Sequence, residues 1–239
     1  MPTRIPSLRR PPVAFANRGA QDHEAENTVA AFGLARRLGA TGVASGLWRS
    51  ADGAAVLAVG GSVGGRLRRR PVGDVERADL PPDVVALATL YDEVGTDPEL
   101  CLLVGDDDGA VAEAIATARD RGPDVEGRLW LVGTDADRVA SWRPLSRHVQ
   151  LVHAVRLRAL RPGPEPHAAR LRQLGVDAVA APVSEWSGGI VTLVHRFGLL
   201  AMAEDAQFER QIAEVVDAGI DAVVSDHVER LVETVGRFA

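Results

Sequence analysis

The chain contains no lysine: all 27 of its basic residues are arginine. Schiff-base catalysis needs a lysine amine, so the barrel enzymes that work through one are excluded as models. Cysteine is almost absent too. Cys101 stands alone, so no disulfide can form within the chain, a usage expected of a cytosolic protein. No apolar run approaches the ~20 residues of a membrane span. The first twelve residues carry Arg4, Arg9 and Arg10 but no apolar segment ahead of Pro11-Pro12, so no signal peptide is read there. Positive charge does not dominate: 33 acidic residues against 27 basic ones leave a net charge of −6, which speaks against nucleic acid as a partner. No G-x-G-x-x-G follows the first apolar run, which argues against a dinucleotide-binding sheet.

What is present is a repeating alternation. Apolar residues make up 46% of a 239-residue chain, ample for one core, and one α/β barrel takes about 250 residues. Residues 1–12 read as a loosely held lead-in to a single domain. Residues 13–16 are a first strand, and Glu26-Asn27-Thr28 opens a helix with Ala31, Leu34, Ala35 and Leu38 on one face. Gly39 ends that helix, and 42–47 is a second strand. Asp52-Gly53 turns the chain into an excursion, with a short strand over 55–59 and a Gly- and Arg-rich loop over 60–70. Strands are then expected at 100–104, 129–132, 150–154, 178–181, 199–203 and 222–225, each followed by a helical pattern. The segments Leu38-Gly39-Ala40-Thr41-Gly42-Val43, Leu174-Gly175-Val176-Asp177-Ala178-Val179 and Ala218-Gly219-Ile220-Asp221-Ala222-Val223 repeat one helix-to-strand punctuation. Eight strand–helix units predict a TIM-type (β/α)8 barrel with its working loops at the strands' C-terminal ends; an open doubly wound sheet is the competitor.

Several motifs stand in a specific order: A-N-R-G-A at 16–20, A-E-N-T at 25–28, G-V-A-S-G-L-W-R-S-A-D-G at 42–53, L-V-H-R-F-G-L-L-A-M-A-E-D-A-Q-F-E at 193–209 and A-G-I-D-A-V-V-S-D-H-V-E-R-L at 218–231. Together they resemble the glycerophosphodiester phosphodiesterase family over essentially the whole chain, in a bacterial branch where D-A-Q follows the seventh strand. The resemblance implies the barrel of the phospholipase-C-like phosphodiesterases. It also implies hydrolysis of a phosphodiester by two histidines, with carboxylates holding a divalent cation.

The residues at those positions differ. The family's first histidine falls on Asn17, which can orient a group but cannot transfer a proton. Its second histidine and the following aspartate fall on Val59 and Gly60. The metal carboxylates of G-x-E-x-D fall on Ala44 and Gly46, and a further acidic position and a phosphate-binding lysine on Leu103 and Gly105. Only Arg18 is retained, able to fork a phosphate or to pair with Glu26. The expected protein is therefore a non-catalytic member of the family that binds a small phosphorylated ligand or a protein partner, such as an active paralogue. No cofactor is expected.

The alternative is an active phosphodiesterase with a rearranged site drawn from Arg18, Glu26, His153 and Glu204, using Mg²⁺ or Ca²⁺ or no metal at all. His153 ends the fifth strand and is the best surviving titratable candidate if it faces the mouth. Glu26 equally suits a helix start, Asp106-Asp107-Asp108 an acidic turn, Glu204-Asp205 a solvated loop, and Asp226-His227 the cap of the last helix. His195 suits a packed helix position, and Trp48, Trp130, Trp142 and Trp186 the core.

Overall fold

A computed structural model describes residues 6–64 and 69–238. Its framework is eight parallel strands: β1 (Val13–Asn17), β2 (Gly42–Arg49), β3 (Glu99–Val104), β4 (Leu129–Gly133), β5 (Gln150–Ala154), β6 (Ala178–Pro182), β7 (Leu200–Glu204) and β8 (Ala222–Ser225). Each pairs with the next, and β8 pairs back to β1 through Val13 opposite Ala222, so the sheet closes. Among the described residues, eight α-helices of six residues or more cover it: α1 (Val29–Arg37), α2 (Leu87–Val94), α3 (Gly109–Arg119), α4 (Ala136–Ser141), α5 (Pro164–Leu174), α6 (Gly188–Arg196), α7 (Glu209–Asp217) and α8 (Val228–Gly236). This is the (β/α)8 barrel expected from the alternation; the open sheet is excluded by the β1–β8 pairing.

Side chains alternate along each strand between two cores. Inside the barrel, Phe15, Trp130 and Met202 fill a space otherwise lined by small residues such as Ala44, Ala178, Ala180 and Ala222. Phe15 and Trp130 meet edge to face at 5.5 Å. The outer core lies between strands and helices and includes Phe32, Leu102, Leu131, Leu151 and Trp142.

The repeated punctuation has a physical cause. Gly39, Gly175 and Gly219 take left-handed φ values of +101°, +74° and +92° just past helix ends. Two residues on, Thr41, Asp177 and Asp221 each use a side-chain oxygen to accept the backbone N–H that begins the preceding strand. The pairs are Ala14 to Thr41 at 2.8 Å, Leu151 to Asp177 at 2.7 Å and Ala201 to Asp221 at 2.7 Å. The motif thus satisfies donors that the closed sheet leaves unpaired at its N-terminal end.

Three expectations need correction. The lead-in is pinned rather than loose from Ser7 onward: Ser7 Oγ and the Leu8 N–H donate to buried Asp221 at 2.8 and 2.6 Å, and Arg9 pairs with Glu99 and lies over Trp130. The second strand runs to Arg49, because its outer end pairs antiparallel with an excursion strand, Ala55–Ala58. The Gly- and Arg-rich stretch holds a short ladder, Ser62–Val63 against Arg70–Pro71; residues 65–68 of that stretch lie outside the described residues.

Candidate functional site

The C-terminal ends of the strands surround a cavity of about 380 Å³. Asn17, Arg18, Ala44, Gly46, Val59 and Leu103 all line it. Residues far apart in sequence, singled out as the positions of a hydrolytic site, therefore share one mouth. Val132 and Val224 add apolar wall, while Ser45, Glu204, Asp205, Gln207, Ser225 and Asp226 add polar groups.

The mouth is built from tight local conformations. Arg18 and Asp205 have φ values of +57° and +58°, the left-handed region that costs a residue with a Cβ on the order of 1 kcal/mol. Asn27, at φ +59°, is fully buried behind the wall. Its amide donates to the carbonyls of Leu57 and Asp83 at 3.0 and 2.7 Å, and its oxygen accepts from Ser45 Oγ. Asn27 thereby ties the α1 entry, β2 and the excursion together. Thr28 caps α1 by accepting from Ala31 N–H at 3.2 Å, so the E-N-T motif serves architecture here.

Across the opening lies a polar network. Asn17 Nδ2 donates to Asp226 Oδ1 at 2.8 Å, and Gln207 Nε2 donates to Asp226 Oδ2 at 2.8 Å and to Asp205 Oδ1 at 2.9 Å. Both oxygens of Asp226 are therefore engaged by neutral amides. Asp226 does not cap the last helix, contrary to expectation. His227 occupies that N-cap position without a side-chain cap bond and pairs instead with Asp22 at 2.8 Å. Gln207 and Asp226 were missed as mouth residues; their positions just past β7 and β8 were the available signal.

Glu204 is the chemically unusual member. Burial pushes its carboxyl above the ordinary carboxylate range, against the pull of Arg156, and no hydrogen bond to it is made among the described residues. A carboxyl raised by folding costs stability that is absent below its unfolded value and grows as pH rises from there through its folded one. Glu204→Gln is accordingly expected to stabilise the protein by about 1 kcal/mol at pH 7 and by less at pH 4. Denaturant unfolding at the two pH values measures this; a loss of stability at pH 7 would show that the carboxylate is compensated. Cys101 also lines the mouth, but burial drives its thiol upward, so no thiolate nucleophile is available.

Other expected site residues lie elsewhere. His153 does not face the mouth. Val152 and Ala154 on either side of it point into the barrel, so His153 points outward to α5, where it meets His167. Glu26 is not a mouth residue; it holds the Arg18 guanidinium at 2.9 Å. Asp107 pairs with Arg49 and Asp108 with Arg138, so the acidic turn is satisfied by arginines. His195 pairs with Asp221 at 2.8 Å at the opposite end of the barrel.

The fit of a divalent cation can be judged from the donors present. Ala44, Gly46 and Leu103 offer no side-chain oxygen. A Cβ on Gly46 would stand 2.5 Å from the Ala58 carbonyl oxygen, so the position has no room for a carboxylate. No group of three His, Cys, Asp or Glu residues suited to a metal ion occurs among the described residues. These three positions therefore supply no ligand for a divalent cation.

The fold is that of the glycerophosphodiester phosphodiesterases. The Oleispira antarctica phosphodiesterase in complex with the product sn-glycerol-3-phosphate is similar with a TM-score of 0.75 and 18% identity, over 94% of this chain and 97% of that one. The glycerophosphodiester phosphodiesterase of Thermotoga maritima gives 0.77 and 17%, over 92% and 97%. That of Agrobacterium tumefaciens strain C58 gives 0.74 and 15%, over 92% and 98%. At these identities the likeness carries the fold. No protein-family model and no curated protein matches the sequence.

Proposed function

We propose that this chain is a divergent member of the glycerophosphodiester phosphodiesterase family that has given up phosphodiester hydrolysis and keeps the barrel mouth as a binding site. The observation that carries the reading is the convergence of Asn17, Ala44, Gly46, Val59 and Leu103 on one cavity. If the alignment had slipped, these positions would scatter over the barrel. Together they supply neither a proton-transfer group nor a carboxylate, and function resides in the site rather than the fold.

The charges of the mouth favour a neutral, hydroxyl-bearing ligand over the phosphorylated one expected from the sequence. Among the described residues Arg18 is the one basic side chain in the lining and is already paired with Glu26, while Glu204, Asp205 and Asp226 face the same space. A phosphate dianion would meet carboxylates with no free cation among the described lining residues to offset them. Hydroxyls could instead exchange hydrogen bonds with Asn17, Gln207 and the three carboxyl groups.

Purified protein with a simple glycerophosphodiester is expected to show no turnover above blank, with Mg²⁺, with Ca²⁺ or with chelator. Cation-dependent turnover would sink the proposal. Turnover that survives chelator would favour the second reading, a metal-free reaction using Glu204, the raised carboxyl in the cavity. Calorimetry with glycerol and with glycerol phosphate tests the ligand class, tighter binding of the phosphate ester being the contrary result.

A further inference from the structure

The β5–α5 unit carries a histidine pair that the mouth does not use. His153 Nδ1 lies 3.1 Å from His167 Nε2, with ring centroids 5.0 Å apart, and His153 Nε2 lies 3.2 Å from the Thr134 carbonyl oxygen. A carbonyl only accepts. The hydrogen-bond network therefore places the proton of neutral His153 on Nε2, leaves its Nδ1 bare and makes His167 the donor through Nε2–H.

This arrangement can absorb one proton. His153 then carries hydrogen on both nitrogens, and His167 shifts its own proton to Nδ1 and accepts through Nε2. A second proton has no such solution: both facing nitrogens would carry hydrogen, and two imidazolium charges would stand side by side in a half-buried site. β4, β5 and β6 bring no other titratable side chain to the pair. The charged groups that reach it are Asp135, ahead of α4, and Arg170 on α5; Arg170 is paired with Asp137 of α4 at 2.6 Å. Asp135 favours protonation of His153 and Arg170 opposes it, but burial outweighs both. It holds His153 below the ordinary histidine value and, with the neighbouring ring, brings His167 down to about 4.

The contact has mechanical consequences. His167 lies near the start of α5, which begins at Pro164 after Gly163 without a side-chain cap. The buried contacts of α5, Ala168 and Leu171, come later. The chain between β5 and α5 includes Arg156, whose charge bears on Glu204 in the mouth. We propose that the His153–His167 contact is an acid-released latch, which holds the first turns of α5 to the barrel wall at neutral pH and lets go when both rings are protonated. The sign follows from the two lowered values: the folded protein binds fewer protons than the unfolded chain, so the contact's stability is full above about pH 6.5 and is lost as pH falls toward 4.

Hydrogen–deuterium exchange of the whole chain between pH 7 and pH 4, corrected for intrinsic rates, reads this directly. Peptides spanning 155–170 should gain about tenfold in exchange, one pH unit's worth of linkage, while the strand peptides stay protected. His167→Gln keeps an amide donor for His153 Nδ1 but cannot titrate, and should abolish most of the gain. Equal gains in the parent and this variant, or opening of the strands at the same pH, would overturn the latch. Nitrogen-15 spectra of the imidazoles give a check that needs no variant: at pH 7 His153 should be protonated on Nε2 alone, and the opposite tautomer would equally overturn it.

Discussion

Replacing Asp221 by alanine should lower the stability of this protein by about 3–5 kcal/mol, because it strands several buried donors at once and each buried unsatisfied donor costs about 1–3 kcal/mol. The carboxylate is fully buried and serves both its oxygens. Oδ1 accepts from Ser7 Oγ, Leu8 N–H and Arg9 N–H, while Oδ2 accepts from His195 Nε2 and Ala201 N–H. Alanine leaves the Ala201 N–H without an acceptor beside a histidine that has lost its partner, and it releases the lead-in across the bottom of the barrel. Arg9, freed at its backbone, would no longer be held over Trp130 and against Glu99. Denaturant unfolding gives the magnitude, and exchange of residues 6–12 gives the location. Asp221→Asn supplies the graded case: its oxygen can serve one group of donors but its amide cannot accept from the other, so its loss should be the smaller one. Equal stability of the parent and the alanine variant would mean that water replaces the carboxylate at no cost.

The barrel was legible because its signals are local and repeated. Apolar runs of strand length, glycines after helix ends and a hydrogen-bonding residue before a strand each act within a few residues, and the alternation then leaves few topologies. Part of the mouth was legible for the same reason, since Asn17, Leu103 and Glu204 lie at or next to the C-terminal ends of strands whose places follow from the alternation. What could not be read was the direction and partnership of single side chains. His153 seemed poised for the mouth, yet a one-residue difference in register along a strand turns a side chain to the other face. Asp226 has the sequence context of a helix cap, but its partners Asn17 and Gln207 come from β1 and the end of β7. The lead-in looked loose because its anchor, Asp221, lies more than two hundred residues away. Long-range pairings of this kind have no local pattern.

Introducing a carboxylate at Gly46 should fail to create a cation site, for a steric reason. The glycine faces the mouth opposite Leu103 of β3, but the added Cβ would press against backbone, the Ala58 carbonyl oxygen at 2.5 Å. The excursion strand Ala55–Ala58 is held on both sides, by β2 and by Val85–Ala86, so it has little freedom to retreat. The same oxygen accepts from Trp48 Nε1 at 3.2 Å, a bond that any outward shift would strain. Gly46→Ala is therefore expected to cost about 1–3 kcal/mol by overpacking alone. Gly46→Asp should cost about 3 kcal/mol or more, because its carboxylate would also face a carbonyl oxygen in a partly closed site. It should gain neither cation binding nor turnover. Gly105 makes a useful contrast: its obstacle is the indole edge of Trp48, a side chain. Trp48→Ala should make Gly105→Ala tolerable but relieve Gly46→Ala only in part, because the Ala58 carbonyl oxygen stays in the way once the indole is gone, a difference that unfolding of the single and double variants measures. If Gly46→Ala falls within about 0.5 kcal/mol of the parent, the position is open and a carboxylate could be regained there. If the cost appears, backbone contact as well as residue type bars a carboxylate from this position.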